Sequence, residues 1–264
     1  MICDLKLKNL ISMPTSPLKP LYFKKYQPSN KLINYIDAYW SIENVSKNSI
    51  SIPIVPDGCM DIIYKNGDLV FVGAMSESKT VEILPCDYSF GIRFKPAVFA
   101  HLIKIDSSQY INKVVPLNSL SQDLLTQITI NKNDELQTVD ALNQLFEPLF
   151  EKIEFNEKII KAIDKIINHR GNIALKELEE YIDLSNRQLR RLFQNYLGYS
   201  PKKFCNIVRF FDLFKELMKN NGENLSSKAY EFGYCDQSHL NKEFKKFSNL
   251  FPTHEMMSLF YKTK

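Results

Sequence analysis

Two stretches of the sequence decide the fold of the last third of the chain. They are SNRQLRRLFQNYLGYSP at residues 185–201 and DQSHLNKEFKKFSNLFP at residues 236–252. At an offset of 51 positions they carry matching apolar residues and a matching final proline; the pairs are Leu189 with Leu240, Phe193 with Phe244, Tyr196 with Phe247, and Pro201 with Pro252. Each stretch begins with a residue that caps helices well, serine or aspartate. The sequence therefore predicts two copies of one helical unit.

Both copies are predicted to be helix-turn-helix units. Each stretch follows a short helical pattern and a tight turn, at residues 183–184 in the first copy and 233–235 in the second. A short helix, a turn of a few residues and a second helix make up this arrangement. Between the copies, Pro201 begins another helix that is largely apolar, so we expect it to be buried and to fix their spacing. Two recognition helices held in this way can enter successive major grooves, about 34 Å apart.

The outward faces of the two recognition helices carry residues suited to DNA. The face of the first that lies opposite its apolar arc is basic and carries Arg187, Arg190, Arg191 and Gln194. The matching face of the second carries Ser238, Asn241, Lys242 and Lys245, flanked near its start by Gln237 and His239. An arginine in the major groove can bond both acceptor atoms of guanine. A single basic helix face is usually just solvated surface, but two in register favour DNA binding.

Charge is distributed unevenly along the chain. Residues 156–264 contain 19 Lys and Arg against 13 Asp and Glu, a net charge of +6. Residues 1–155 contain 15 against 17, a net charge of −2, and the two parts make up the +4 of the whole chain. A basic excess confined to the C-terminal part is expected if that part meets a polyanion.

A further set of residues fits a known family: Gly233-Tyr234, Asp236-Gln-Ser-His239, Phe244-Lys245, Arg209 in the connecting helix, and the prolines Pro201 and Pro252. With these residues, the region from about 157 to 256 resembles the AraC/XylS-type DNA-binding domain. The resemblance implies a seven-helix domain, RNA polymerase as a partner, and base contacts from both recognition helices. The complete predicted DNA-binding set is Asn186, Arg187, Arg190, Arg191, Gln194, Gln237, Ser238, His239, Asn241, Lys242 and Lys245.

The chain departs from the family pattern at a few positions. Glu179 and Leu213 stand where alanine is usual, and Lys228 stands where an apolar residue is usual. Asn249 replaces a glycine, which is a mild change because asparagine tolerates left-handed backbone geometry. Glu179 and Lys228 put local packing in question more than function.

The first half of the chain predicts a mixture of strands and helices. Strands at 60–64 and 69–73 flank an Asn66-Gly67 turn, which is a strong hairpin signal, and further strands are predicted at 80–84 and 89–94. Helical spacing predicts a short helix over 28–39 and another from Pro96 through residue 103. Two more helices are predicted at 117–128 and 134–153, the second bent or broken at Pro148.

Three stretches of the first half, 32–40, 56–64 and 91–96, are similar to an uncharacterised sensor-like domain that precedes this DNA-binding module in some regulators. The similarity implies a β-rich, cupin-like barrel followed by helices that mediate dimerisation. Two interpretations of Asp57-Gly58 stay open. The pair forms a turn that needs no ligand, or Asp57 and Asp61 lie near Arg93 in a polar pocket for an effector. Arg93 can equally pair with a carboxylate in a structural role.

The cysteines and histidines give little support for a catalytic or metal site. The five cysteines lie far apart with no C-x-x-C pair, which is typical of reduced, structural thiols. The H-x-H motif that cupin enzymes use is absent from the sequence. A regulator that senses alkyl groups through a cysteine needs a low-pKa, often metal-bound thiolate. We predict no enzymatic activity, no cofactor and no metal, and keep cysteine-based alkyl sensing as an alternative.

The predicted fold class is an α+β domain, β-rich with added helices, over residues 1–153, followed by an all-α domain with two helix-turn-helix units over residues 154–264. The sequence has no apolar run that could cross a bilayer and no clear signal peptide, so we expect a cytoplasmic bacterial protein. The leading hypothesis is a DNA-binding transcription activator whose first domain senses a small-molecule effector or a partner. A protein-interaction module that has lost base readout is the alternative. A homodimer formed through residues 134–153 is a further hypothesis.

Overall fold

The computed structural model describes residues 21–120, 126–219 and 225–252. A β-rich first half is followed by an all-helical C-terminal region, as predicted. The strands are β1 (Leu21–Tyr26), β2 (Ile36–Asn44), β3 (Ile50–Ile54), β4 (Met60–Lys65), β5 (Asp68–Val72), β6 (Lys79–Ile83), β7 (Tyr88–Phe94) and β8 (Val114–Pro116). The helices are α1 (Val98–Ile103), α2 (Glu135–Phe150), α3 (Glu157–Asn168), α4 (Leu175–Ile182), α5 (Asn186–Leu197), α6 (Pro201–Lys219), α7 (Leu225–Glu231) and α8 (Gln237–Ser248).

Six of the implied seven helices of the C-terminal region, α3 to α8, lie within the described residues, and residues 253–264 lie outside them. None of the helices in the described ranges has both the length and the apolar character needed to cross a membrane.

The first half is built on an antiparallel sheet. Six strands pair in the order β1-β2-β7-β4-β5-β8, and β3 pairs with β6 in a separate two-stranded sheet. The predicted hairpin is confirmed, since Asn66 and Gly67 link β4 to β5 with positive φ angles of 49° and 109°. The strands predicted at 80–84 and 89–94 correspond to β6 and β7.

The helix predicted over residues 28–39 is wrong. Two successive turns form, in which the amide of Ile33 donates to the carbonyl of Ser29 and the amide of Ile36 donates to that of Leu32. The chain then enters β2, which is paired on both edges, with β1 and β7. The aromatic and β-branched residues of this segment fit the middle of a sheet better than a helix. Pairing with two neighbours therefore outweighed the helical spacing.

The helices of the first half also differ from the prediction. The helix predicted from Pro96 through residue 103 is present as α1, but it begins at Val98, so Pro96 precedes it. The helix predicted over 117–128 appears as a 3₁₀ helix at Leu117–Leu120, and residues 121–125 lie outside the described residues. The break predicted at Pro148 is wrong, because α2 continues to Phe150. Pro148 has no N–H to donate to the carbonyl four residues earlier, and the helix ends two residues after it.

A buried ion-pair cluster joins β4, β7 and the turn before β4. The Arg93 Nε lies 3.0 Å from Asp61 Oδ1, and Arg93 Nη1 lies 3.2 Å from Asp57 Oδ2. Trp40 donates its indole N–H to Asp61, at 3.2 Å, and Asp57 accepts from the Cys59 amide, at 2.8 Å. Burial alone would lower the pKa of Arg93, but the carboxylates of Asp61 and Asp57 raise it. Asp57, Asp61 and Arg93 therefore lie together, as the pocket interpretation expects, and Arg93 is paired with both carboxylates within the fold.

The two halves of the chain meet at His101 of α1. Its ring stacks on Tyr196 of α5, with centroids 4.1 Å apart and planes 13° apart, and it contacts Phe155 on the connection between α2 and α3 at 4.8 Å. Its Nε2 accepts from the backbone N–H of Asn156 at 3.0 Å, and its Nδ1 lies 2.7 Å from the carbonyl oxygen of Ala97. Because an amide N–H only donates, Nε2 carries no proton, and Nδ1 donates to Ala97.

Other contacts close the same junction. Tyr199, between α5 and α6, donates its hydroxyl to the carbonyl of Met75 at 2.5 Å. Gly58 has a φ of +84°, and a Cβ there would lie 2.8 Å from Cε2 of Phe204 in α6. Glycine is therefore required at position 58 both by its left-handed backbone and by the approach of the helical region.

Replacing Asp61 by alanine is expected to lower the free energy of unfolding by about 3–5 kcal/mol, because one of the two carboxylates facing a buried guanidinium is lost. Urea denaturation of the full chain measures this change. The matched control is Glu157→Ala, which removes an exposed pair with Lys161 and is expected to cost less than about 1 kcal/mol. Equal effects of the two substitutions would contradict the structural role of the cluster.

His101 is expected to make the folded state less stable in acid. Burial lowers its pKa, and the Ala97 hydrogen bond only partly opposes this shift. As the pH falls below the unfolded value of about 6.5, the unfolded chain binds a proton that the folded chain does not, so the stability drops. In His101→Gln, the fall in unfolding free energy from about pH 7.5 to about pH 5.5 is expected to be smaller than in wild type. Denaturation curves at both pH values measure it, and an unchanged fall would contradict the assignment.

Candidate nucleic-acid interface

Capping residues mark both ends of α5. Ser185 and Gln188 form a capping box: the Gln188 amide donates to Ser185 Oγ at 3.4 Å, and the Ser185 amide donates to Gln188 Oε1 at 3.0 Å. At the other end Gly198 takes a left-handed φ of 77°, and its amide donates to the carbonyl of Gln194. These residues satisfy backbone groups that a helix end otherwise leaves unpaired.

The predicted residues of the first unit lie on the outside of α5. Asn186, Arg187, Arg190, Arg191 and Gln194 are all exposed. Within the described residues, the three arginines form no ion pair, so they are available to an anion. The amide of Asn186 donates to Glu179 Oε1 at 2.6 Å. Glu179, a departure from the family pattern, therefore holds the side chain that starts the recognition helix.

α8 repeats this construction. Asp236 Oδ1 accepts from the amide of His239 at 2.7 Å, which caps the start of the helix. Asn249 ends the helix with a left-handed φ of 59°. The family glycine at this position is thus replaced without loss of the left-handed geometry.

The predicted residues of the second unit differ in their exposure and in their hydrogen bonding. Gln237, Ser238, Lys242 and Lys245 are exposed, and His239 and Asn241 are half-buried. Gln237 accepts from the hydroxyl of Ser226 at 2.7 Å, and His239 Nδ1 accepts from the amide of Cys235 at 3.3 Å. The Oδ1 atom of Asn241 is buried without a hydrogen-bond partner. Asn241 therefore lies at the inner edge of the outward face.

A shared helix holds the two units together. Phe204 of α6 contacts Phe193 of α5, with ring centroids 6.0 Å apart. Two turns later, Phe210 contacts Phe244 and Phe247 of α8 at 5.1 and 5.2 Å. All five rings are fully buried. The connecting helix is therefore the common core of both units, as the sequence predicted.

The structure also brings polar residues to this face that sequence patterns did not single out. Asn195 and Lys246 are exposed on α5 and α8, and a helical wheel of either helix would have found them. A cleft of about 610 Å³ opens beside α5, where the front half borders the first unit. Its lining residues are Asp106, Ser108, Asn156, Lys158, Leu184, Gln188, Arg191, Leu192, Gln194, Asn195 and Tyr196. Spacing along the chain carries no signal for such a junction.

Comparison with protein families agrees with this geometry. Residues 178–256 match the model described as Helix-turn-helix domain, and residues 24–116 match one described as Domain of unknown function (DUF6597). The C-terminal region is an AraC-type helix-turn-helix domain. The domain of unknown function precedes it in the sequence. The first match lies in the β-rich half of the chain, and the second lies in the helical region.

Curated relatives of the AraC-type region are transcription regulators. The lactose operon transcription activator of Staphylococcus xylosus is 26% identical over 159 residues, which cover 56% of this chain and 56% of that protein. The HTH-type transcriptional regulator GbdR of Pseudomonas aeruginosa is 31% identical over 110 residues, 41% of this chain and 30% of that protein. The matches thus span about half or less of these relatives. Neither relative is described as an enzyme, in agreement with the prediction.

Among solved structures, that of ToxT from Vibrio cholerae with a bound unsaturated fatty acid is similar to this chain. It has a TM-score of 0.43 and 13% sequence identity, and the match covers 96% of this chain and 99% of that one.

Proposed function

We propose that this protein is a sequence-specific DNA-binding transcription regulator that reads two successive major grooves with α5 and α8. One observation carries the proposal. Two capped helices present exposed cationic and amide side chains outward, and a single buried helix fixes them relative to each other. A rigid pair of basic helices suits the spacing of major grooves on one side of a duplex.

The two recognition helices are proposed to divide the contacts differently. Arg187, Arg190 and Arg191 are proposed to contact bases from α5, since each can bond guanine O6 and N7 together. On α8 the base contacts are proposed for Gln237, Ser238, His239 and Lys242. The remaining members of the set are proposed to contact DNA around these residues: Asn186, Gln194, Asn241 and Lys245. Asn241 is the least accessible of them.

The wider regulatory scheme belongs to the same proposal. We assign residues 1–153 to a sensor and dimerisation domain and residues 154–264 to the DNA-binding domain. An activating role is proposed because the similar protein of Staphylococcus xylosus is a transcription activator. RNA polymerase is proposed as a partner on the resemblance to the AraC/XylS type. Control by a small-molecule effector is proposed for the front domain. A homodimer through α2 is supported by Leu136, which is 67% exposed.

Two alternatives have less support. A module that has lost base readout has no need of three unpaired arginines on one helix face. Alkyl sensing by cysteine needs an activated thiolate, whereas burial raises the pKa of Cys205 to about 11 and that of Cys59 well above its usual value.

Binding of the full chain to a DNA duplex is expected to weaken steeply with salt. Each phosphate neutralised by Lys or Arg releases counterions, so the logarithm of the binding constant falls linearly with the logarithm of the salt concentration. A fluorescence anisotropy titration at several salt concentrations measures the slope. Neutralisation of about 6 phosphates gives a slope near −5, whereas a flat line would point to the protein-interaction alternative.

Replacing Arg190 by alanine is expected to relax sequence preference at one base pair, at a cost of about 1–3 kcal/mol for that pair. A binding site selected from random duplexes by the wild-type chain supplies the probe, and single base-pair variants of it are then titrated. Lys132→Ala, an exposed cation of the front half, is the matched control and leaves the preference intact. Retention of every base preference in Arg190→Ala would remove this residue from the base-contacting set.

A further inference from the structure

The front half of the chain packs against one recognition helix and not equally against the other. α1 and the 3₁₀ helix at Ser107–Gln109 both lie against α5, whereas α8 packs mainly on α6 and α7. At the end of α5, a Cβ on Gly198 would lie 2.3 Å from Ile111 Cδ1 and 2.9 Å from the Ser107 carbonyl oxygen. The front half thus packs tightly against Gly198, so the end of α5 is held by the front half as well as by its own domain.

His101 contacts several elements of this junction at once. It belongs to α1, stacks on Tyr196 of α5, and accepts a hydrogen bond from the Asn156 amide. The side chain of Asn156 in turn caps α3 by accepting from the amides of Lys158 and Ile159. One imidazole therefore joins the front half, the start of the helical region and the flank of a recognition helix.

The position of Tyr196 on α5 makes this contact relevant to the DNA face. It lies two residues after Gln194 and five after Arg191, on the flank where the helix turns from its exposed to its buried side. Stacking of a buried ring at this flank restricts rotation of α5 about its own axis. Rotation would change the directions of Arg187 and Arg190, and base contacts tolerate little misplacement.

We infer that His101 is a positioning residue for base recognition by the first helix-turn-helix unit, through which the front half of the chain acts on DNA readout. The inference rests on the proposed function. His101 itself touches no base, and the second unit, held by α6, keeps its own preferences without it. An effector that moved α1 would act on half of the DNA site by this route.

The test compares the base preferences of His101→Ala and wild type in the full chain. Discrimination is measured at every base pair of the duplex selected by wild type. The base pairs of the first unit are those that Arg190→Ala affects, and those of the second are those that Lys242→Ala affects. In His101→Ala, discrimination is expected to fall about tenfold at the first set and to stay within about twofold at the second. Tyr196→Ala is expected to reproduce this pattern, and the double variant to add nothing further.

Controls separate positioning from general loss of stability. Val139→Ala truncates a buried residue of α2, and it is expected to lower stability without a bias toward either set of base pairs. A uniform loss at both sets in His101→Ala, or no loss at all, would overturn the inference.

A second measurement needs no DNA and distinguishes this inference from the proposed function. In His101→Ala, hydrogen exchange is expected to quicken in α5 by about tenfold more than in α8. Faster exchange in α5 with no DNA binding by wild type would sink the proposed function and the role in base recognition, and would leave only the conclusion that His101 holds α5 in place. Equal exchange in the two helices would overturn the positioning role, whatever the wild-type chain binds.

Discussion

The geometry of the helical region depends on the burial of α6. Its apolar residues point in nearly every direction, and nine of them, from Phe204 to Leu217, are buried. A helix with so wide an apolar surface is stable only when other elements cover it. Both helix-turn-helix units pack on it, through ring contacts at Phe204 for α5 and at Phe210 for α8. The capping residues of α5 and α8 then fix where these helices begin and end, and so which side chains their outward faces carry.

Positions that depart from the family pattern are accommodated by local pairing. Lys228, where an apolar residue is usual, lies 3.1 Å from Glu216 and 2.8 Å from Glu231. Glu179 accepts from Asn186 at the start of the recognition helix. Leu213, where alanine is common, is fully buried in α6. In each case the larger or charged side chain has partners within reach, so the fold keeps its arrangement at these positions.

Much of the helical region could be predicted because its signals are local. Ser185, Asp236 and Gly198 mark helix ends through bonds to backbone groups a few residues away, and period and repeat identify the outward faces. β2 could not be predicted in this way, since Leu32, Tyr35, Ile36 and Tyr39 have helical spacing but the segment is drawn into the sheet by two neighbouring strands. The effect of Pro148 could not be predicted for a related reason, because it depends on how far the proline lies from the end of the helix.

The residues on the outward faces of the recognition helices could be predicted from the sequence, whereas those at the borders with neighbouring helices could not. Arg187, Arg190 and Arg191 follow from the helical wheel alone, whereas Asn241 turns inward through packing between helices. The junction at His101 joins residues that are 55 and 95 positions apart in the chain. Local periodicity carries no information about contacts of that range, which depend on how the two halves of the chain pack against each other.

The buried Arg93 cluster has a consequence for how the sheet assembles. Asp61 and Arg93 are direct partners in the β4–β7 register, and side chains alternate between the two faces of a strand. A slip by a single residue would turn Arg93 to the opposite face and leave its carboxylates stranded in an apolar interior. A misaligned sheet therefore loses stability once water is excluded from its interior, and the ion pair favours the native strand register during folding.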